Sequence, residues 1–146
     1  MNLSPVEARD RFMGSPVARL ATADGAGVPH VVPITFAVDG DVIVFAIDHK
    51  PKRTTDLRRL RNIAENPSVS VIADHYADDW ASLWWARADG RADIREDDAG
   101  RLPAVELLQQ KYRQYQEAPP PGAVVAIHVV TWTGWASTDH TTDPGR

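Results

Sequence analysis

The stretch Asp48-His49-Lys50-Pro51-Lys52-Arg53-Thr54-Thr55-Asp56-Leu57 places cations and hydroxyls where a β-branched run ends and a helical periodicity begins. Residues 50–61 hold Lys50, Lys52, Arg53, Arg58, Arg59 and Arg61 against one acid, Asp56, in a chain whose net charge is −4. A strand that turns into a helix N-terminus is a good anion site, because the first backbone N–H groups of a helix lack internal partners and its dipole favours negative charge there. Lys50, Lys52 and Arg53 precede the helix and are the candidate anion ligands. A lysine brings a point charge, an arginine a planar fork, and Thr54 a hydroxyl for a phosphate oxygen. Arg58, Arg59 and Arg61 read instead as a solvated helix face, the usual explanation of a charge run.

Few other residues offer chemistry. The chain has no cysteine, which removes disulfides, thiolate nucleophiles and iron–sulfur clusters together, so redox chemistry would require a bound organic cofactor. No Gly-x-Ser-x-Gly elbow, P-loop or His-Glu-x-x-His motif is present. No catalytic side chain is therefore identified. His75 with Asp78 and Asp79 is the one cluster with metal-ligand residue types, and without a second histidine at helical spacing it reads as a polar turn, so no metal site is assigned. His30 and His49 are possible proton donors near a cofactor, with a surface structural role as the default. Five tryptophans, Trp80, Trp84, Trp85, Trp132 and Trp135, are many for this length and suit a core and a subunit interface. Trp135 is the one nearest the C-terminus.

Composition narrows the classes. The apolar content of 43% and charged content of 25% are ordinary for a globular domain, and 146 residues suit one such domain. The expected domain is 1–137, with the polar segment 138–146 as a flexible tail. The acidic balance argues against a whole-surface nucleic-acid footprint. The longest apolar runs, 42–47, 69–73 and 123–127, are far short of the roughly 20 residues that span a bilayer. The first ten residues carry Glu7, Arg9 and Asp10 where a secretory signal needs a basic start and an apolar stretch, so a cytoplasmic location is expected.

The elements that must position these residues are legible in outline. Ser4-Pro5-Val6-Glu7 has the layout of a capping box and predicts a short helix stopped at Gly14. Residues 17–22 and 31–38 form strands about the Asp24-Gly25-Ala26-Gly27 turn, and Asp39-Gly40 predicts a type I′ hairpin into 41–47, completing a three-stranded meander. Thr54 or Thr55 can cap a helix whose Leu57, Leu60, Ile63 and Ala64 recur at spacings of three and four, ended by Asn66-Pro67. Strands follow at 69–74 and 80–94, the second interrupted near Asp89-Gly90 by a bulge or turn. A helix is predicted over 103–114 and a sixth strand over 123–135. Six strands with short helices at intervals predict a mainly β protein, a small closed or partly closed antiparallel barrel, with an open sheet covered by two helices as the competing layout.

The order of Arg19-Leu20-Ala21-Thr22, Gly27-Val28-Pro29-His30-Val31-Val32-Pro33-Ile34, Lys50-Pro51-Lys52-Arg53-Thr54-Thr55-Asp56-Leu57 and Asn66-Pro67 before a strand resembles the FMN-binding split-barrel superfamily. Within it, the chain is most similar to the small actinobacterial branch, related to pyridoxamine-phosphate oxidase, that uses the deazaflavin coenzyme F420. The resemblance covers residues 3 to about 136. It implies a homodimer of six-stranded antiparallel split β-barrels with cofactor sites between the subunits, where Trp135 is the tryptophan expected to approach the partner's ring. It also implies that the basic segment holds the cofactor's phosphate and oligoglutamate tail, and that the backbone of Val32, Pro33, Ile34 and Thr35 lies beside the tricyclic ring. The end of the chain, Trp132-Thr133-Gly134-Trp135-Ala136-Ser137, lacks the arginine and histidine that pyridoxamine-phosphate oxidases carry there for pyridoxal phosphate. The resulting expectation is an F420-dependent oxidoreductase moving a hydride from the reduced deazaflavin to a small unsaturated or carbonyl substrate. The alternatives are an FMN-dependent oxidoreductase and a non-enzymatic carrier or sensor of a flavin, deazaflavin or tetrapyrrole. A nucleic-acid module using residues 50–61 is disfavoured by the acidic remainder of the chain.

Overall fold

The computed structural model describes residues 1–48 and 57–137. Seven strands form one antiparallel sheet: β1 (Ala18–Ala23), β2 (Pro29–Ile34), β3 (Ala37–Asp39), β4 (Val42–Ala46), β5 (Ser68–His75), β6 (Trp84–Arg95) and β7 (Val124–Ala136). Their order across the sheet is β2-β1-β5-β6-β7-β4-β3. The two edge strands, β2 and β3, are consecutive in the chain and separated only by Thr35 and Phe36. Two residues span only about 7 Å, so the sheet must curl until its edges meet. A barrel closed by covalent continuity, and split at Thr35-Phe36, follows from the topology alone.

The inside of the barrel is a set of register lines. Val32, Leu20, Val71, Ala88 and Trp132 lie opposite one another across five strands, and the last four are buried. Helix α1 (Pro5–Met13) closes this core with Ala8 and Phe12, both fully buried. The Phe12 ring lies 4.7 Å from Phe36 and 5.4 Å, edge-on, from Trp132, whose indole Nε1 donates to Asp41. A second core forms outside the barrel, where Ala104, Val105 and Leu108 of α3 (Asp98–Lys111) cover Ala37, Val44, Val124 and Ala126. This explains the continuous apolar runs: β4 and the start of β7 are covered on both faces, whereas β1 and β5 alternate.

Several sequence expectations hold. Ser4 and Glu7 form the reciprocal capping box. Asp24 Oδ1 accepts from the N–H groups of Ala26 and Val28 in the first turn. A register shift falls between Asp89 and Gly90.

Others are corrected. Among the described residues the expected strand over 31–38 is two strands at opposite edges, β2 pairing with β1 and β3 with β4, so the barrel has seven strands rather than six and the expected three-stranded meander is split between the two edges. The β3–β4 turn has positive φ at Gly40 alone, among its two central residues Gly40 and Asp41, which is the pattern of type II′ rather than I′. Trp80–Ser82 is a 3₁₀ turn capped by Asp79, and β6 begins at Trp84. Helix α3 starts five residues before Pro103, because Asp97 accepts from Gly100 N–H as its cap, and it ends at Lys111; a separate short helix α4 (Arg113–Glu117) follows. Helix α2 (Arg58–Glu65) has Leu57 as its N-cap, with no side-chain cap hydrogen bond; Thr54 and Thr55, the expected caps, lie outside the described residues. Among the described residues no helix is long and apolar enough to cross a membrane.

Candidate functional site

A cavity of about 260 Å³ opens where the barrel splits. Pro33, Ile34 and Thr35 form one wall, Phe45, Ala46 and Asp48 at the end of β4 another, and Arg59 of α2 and Val17 the remainder. The split itself makes this hollow, since β2 leaves the barrel at Ile34 and β4 ends beside it. Three of the four residues expected beside a cofactor ring therefore line one cavity; the side chain of Val32 points inward and packs on the core. Lys50, Lys52, Arg53 and Thr54 lie outside the described residues, as does His49. Asp48, immediately before that segment, and Arg59, close after it, both line the cavity.

Arg59 is the cavity-lining residue that the charge-run reading missed. It is half-buried, not a solvated face, and its Nε is enclosed with no hydrogen-bond partner among the described residues. Burial lowers its pKa, and the carboxylate of Asp48 opposes that shift. A guanidinium keeps its charge regardless, so the cavity holds a permanent cation with an unmet donor. The helix that carries it is fixed in place: buried Asn62 donates to Thr22 on β1, and the Glu65 carboxylate accepts from Gly25 N–H in the β1–β2 turn. The signal was available in the periodicity, because Arg59 lies one turn before buried Ile63 and flanks the apolar stripe, whereas Arg58 and Arg61 are exposed.

The opposite wall is held by α4 and the end of α3. Tyr115 OH donates to Asp48 Oδ1 at 2.8 Å and lies 2.8 Å from Thr35 Oγ1. Tyr112 OH accepts from Phe36 N–H and donates to the Pro16 carbonyl. Lys111 Nζ donates to the Ser15 carbonyl and lies 3.6 Å from the centroid of the Phe36 ring. Burial raises the pKa of both tyrosines, so their hydroxyls stay protonated at neutral pH.

Trp135 is elsewhere. It stands in register with Trp85, itself opposite Asp74, on the outer face of the barrel, and lines a separate hollow of about 220 Å³ with His75, Tyr76 and Trp84. The structure does not bring it to the Pro33–Thr35 cavity of its own chain. His30 lies opposite Thr22, and does not line the cavity. His75 pairs with Trp84 in the ladder, and Asp79 is used as a cap.

A curled antiparallel sheet, split at one crossover, with a cation-bearing cavity at the split, defines a split-barrel protein. The profile of the pyridoxamine 5′-phosphate oxidase family matches residues 5–136, and the chain belongs to that family. Its fold is similar to an FAD-binding protein of Mesorhizobium loti (TM-score 0.73, 22% identity, covering 92% of this chain and 95% of that one). It is also similar to the FAD-binding protein of Mycobacterium smegmatis (TM-score 0.62, 21% identity, 91% and 93% covered) and to the heme storage protein HutZ of Vibrio cholerae (TM-score 0.66, 19% identity, 88% and 91% covered). No match to the chain is found among curated proteins.

Proposed function

We propose that this protein is an oxidoreductase that binds coenzyme F420 at the barrel split and uses it to reduce a small unsaturated or carbonyl substrate. The observation that carries the reading is Arg59, whose enclosed Nε has no hydrogen-bond partner among the described residues and which lines one cavity with Pro33, Ile34 and Thr35. That donor fits an anionic group on the cofactor. The backbone of Pro33, Ile34 and Thr35 is assigned to one side of a flat ring. Lys50, Lys52, Arg53 and Thr54 are assigned to the phosphate and the carboxylates of the tail. One phosphate needs less positive charge than a chain of carboxylates, and six cations within residues 50–61 favour the deazaflavin over FMN. The FAD-binding relatives support a flavin-like ring in this fold.

When bound in its reduced form, F420 supplies a hydride to the acceptor. The chain's own residues hold the anion, orient the ring and exclude water, which are the protein's tasks in cofactor chemistry. A proton from solvent completes the reduction, so no side-chain acid is assigned.

Titration of the purified protein with F420 and with FMN, following tryptophan fluorescence corrected for cofactor absorbance, tests the reading. The expected result is a Kd of about 1 µM for F420, near −8 kcal/mol, with FMN at least about tenfold weaker. Tighter FMN binding would move the protein to flavin chemistry. Binding of neither, or tight F420 binding with no oxidation of the reduced cofactor across enones, quinones and tetrapyrroles, would overturn the enzymatic proposal.

The second subunit is assigned to the outer face of β2, β1, β5 and β6. Val31, Ala21, Ser70 and Asp89 lie in register there, Val28 and Val31 are exposed, and exposed Val130 lines a shallow hollow of about 550 Å³ with Ala21, Ser70 and Asp89. Such a small-residue face with exposed valines is suited to a flat isologous contact. Its ends are Pro33, at the rim of the cofactor cavity, and the Trp85–Trp135 pair, so a two-fold contact would carry Trp135 of one copy toward the cavity of the other. Light scattering is expected to give twice the 16.1 kDa chain mass, and Val31→Glu with Val130→Glu to give the monomer. A wild-type monomer at micromolar concentration would refute this assignment.

A further inference from the structure

Hydrogen-bond directions at the cavity wall are fixed by proton inventory. A carboxylate only accepts, so the single proton of Tyr115 OH must go to Asp48 Oδ1, 2.8 Å away. The 2.8 Å contact between Tyr115 OH and Thr35 Oγ1 then has to use the threonine's proton. Thr35 Oγ1 is left with lone pairs alone for anything in the cavity it lines. The backbone donor beside it is also engaged, because Phe36 N–H is bonded to Tyr112 OH. One wall of the cavity thus presents an acceptor, while the other presents the donor-only guanidinium of Arg59. The Tyr115 hydroxyl is half-buried, and burial raises its pKa, which keeps the proton needed for this chain in place.

We infer that the Thr35–Tyr115–Asp48 chain makes Thr35 the acceptor for the imide N–H of a flavin or deazaflavin ring, with Tyr115 as the positioning residue that holds the threonine hydroxyl in that orientation. The inference rests on the cofactor reading above and deepens it. In the oxidised state this imide, flanked by two carbonyls, is the ring N–H donor that flavins and deazaflavins share. A hydroxyl free to rotate would accept or donate equally well. One locked as an acceptor rejects a ring that lacks the donor, because the lone pair would be desolvated without a partner.

The test compares affinities of the full chain for F420 and FMN with those for the same two cofactors methylated at the imide nitrogen. Wild type is expected to favour the parent over the methylated form by about tenfold, the order of one well-formed hydrogen bond. Thr35→Val keeps the shape of the side chain and loses the acceptor, so only the small steric cost of the methyl group remains and its ratio is expected to fall to about two. Tyr115→Phe keeps the ring and loses the bridge, and its ratio is expected to lie between. General damage to the fold would weaken parent and methylated ligands together and leave the ratios unchanged. A wild-type ratio near one, or a tenfold ratio that survives in both variants, overturns the inference while parent binding leaves the cofactor reading standing. Failure of every ligand to bind wild type overturns both.

Discussion

Phe12→Ala is expected to lower the unfolding free energy by about 3–5 kcal/mol, the range for truncating a fully buried phenylalanine. The ring has no exposed surface and touches Phe36 and Trp132, which belong to parts of the barrel distant in sequence. Phe36 sits at the crossover between the two sheet edges, and Trp132 ends an inward-facing register line. Removing Phe12 therefore opens a void where the helix, the split and β7 meet. The cost combines lost transfer energy with that void, since the surrounding sheet is closed and can relax only in part. For a chain of this length the thermal midpoint is expected to fall by about 10 °C. Trp132 emission should shift to the red, because the indole loses a ring neighbour. Denaturant unfolding of Phe12→Ala beside Val6→Ala, a change on the exposed side of the same helix, checks the assignment. A loss below about 1 kcal/mol for Phe12→Ala would show that α1 does not seal the barrel.

Signals that are local in the chain were legible in the sequence. The Ser4–Glu7 capping box, the Asp24 turn and the register shift at Asp89-Gly90 each follow from residue chemistry within a few positions. What escaped is set by contacts from far away. The run 31–38 contains no turn signal between Thr35 and Ala37, so it reads as one strand. It breaks there because Tyr112, 76 residues later, accepts the Phe36 N–H, and because the two ends of the run pair with different strands. Pro103 reads as a helix start, since proline suits the first turn. The actual start lies at the Asp97 cap, and Arg101 adds a tertiary reason for helix there: its guanidinium donates to the carbonyls of Gly122 and Pro120 in the proline-rich connector.

The site divides in the same way. Pro33, Ile34 and Thr35 were placed beside a ring through the family resemblance, and all three line the cavity. Arg59 was submerged in a run of like charges, where composition alone does not distinguish a residue on the apolar flank from its solvated neighbours. Tyr115 was invisible because nothing in a short helix 80 residues from Thr35 signals that its hydroxyl reaches back to the split.

Arg59→Ala separates the pocket contact from the general field of the basic segment. Loss of a charge-assisted hydrogen bond is worth about 1.5–3 kcal/mol, so the Kd for the bound cofactor is expected to rise about 10- to 100-fold. Arg58→Ala and Arg61→Ala each remove the same charge from the exposed side of the same helix and should change affinity by less than about threefold, because exposed charges are screened by solvent and salt. Arg59→Lys should recover only part of the loss, since an ammonium cannot reproduce a planar fork. Without cofactor, Arg59→Ala is expected to be no less stable than wild type, because it removes an enclosed Nε donor that has no partner among the described residues. Stability and affinity therefore move independently at this one position, as they would at a residue whose partner is a ligand. The same titration across the four variants reads the outcome. Equal losses from Arg58, Arg59 and Arg61 would mean that the segment acts through its summed charge, and the cavity at the split would lose its claim to the anion.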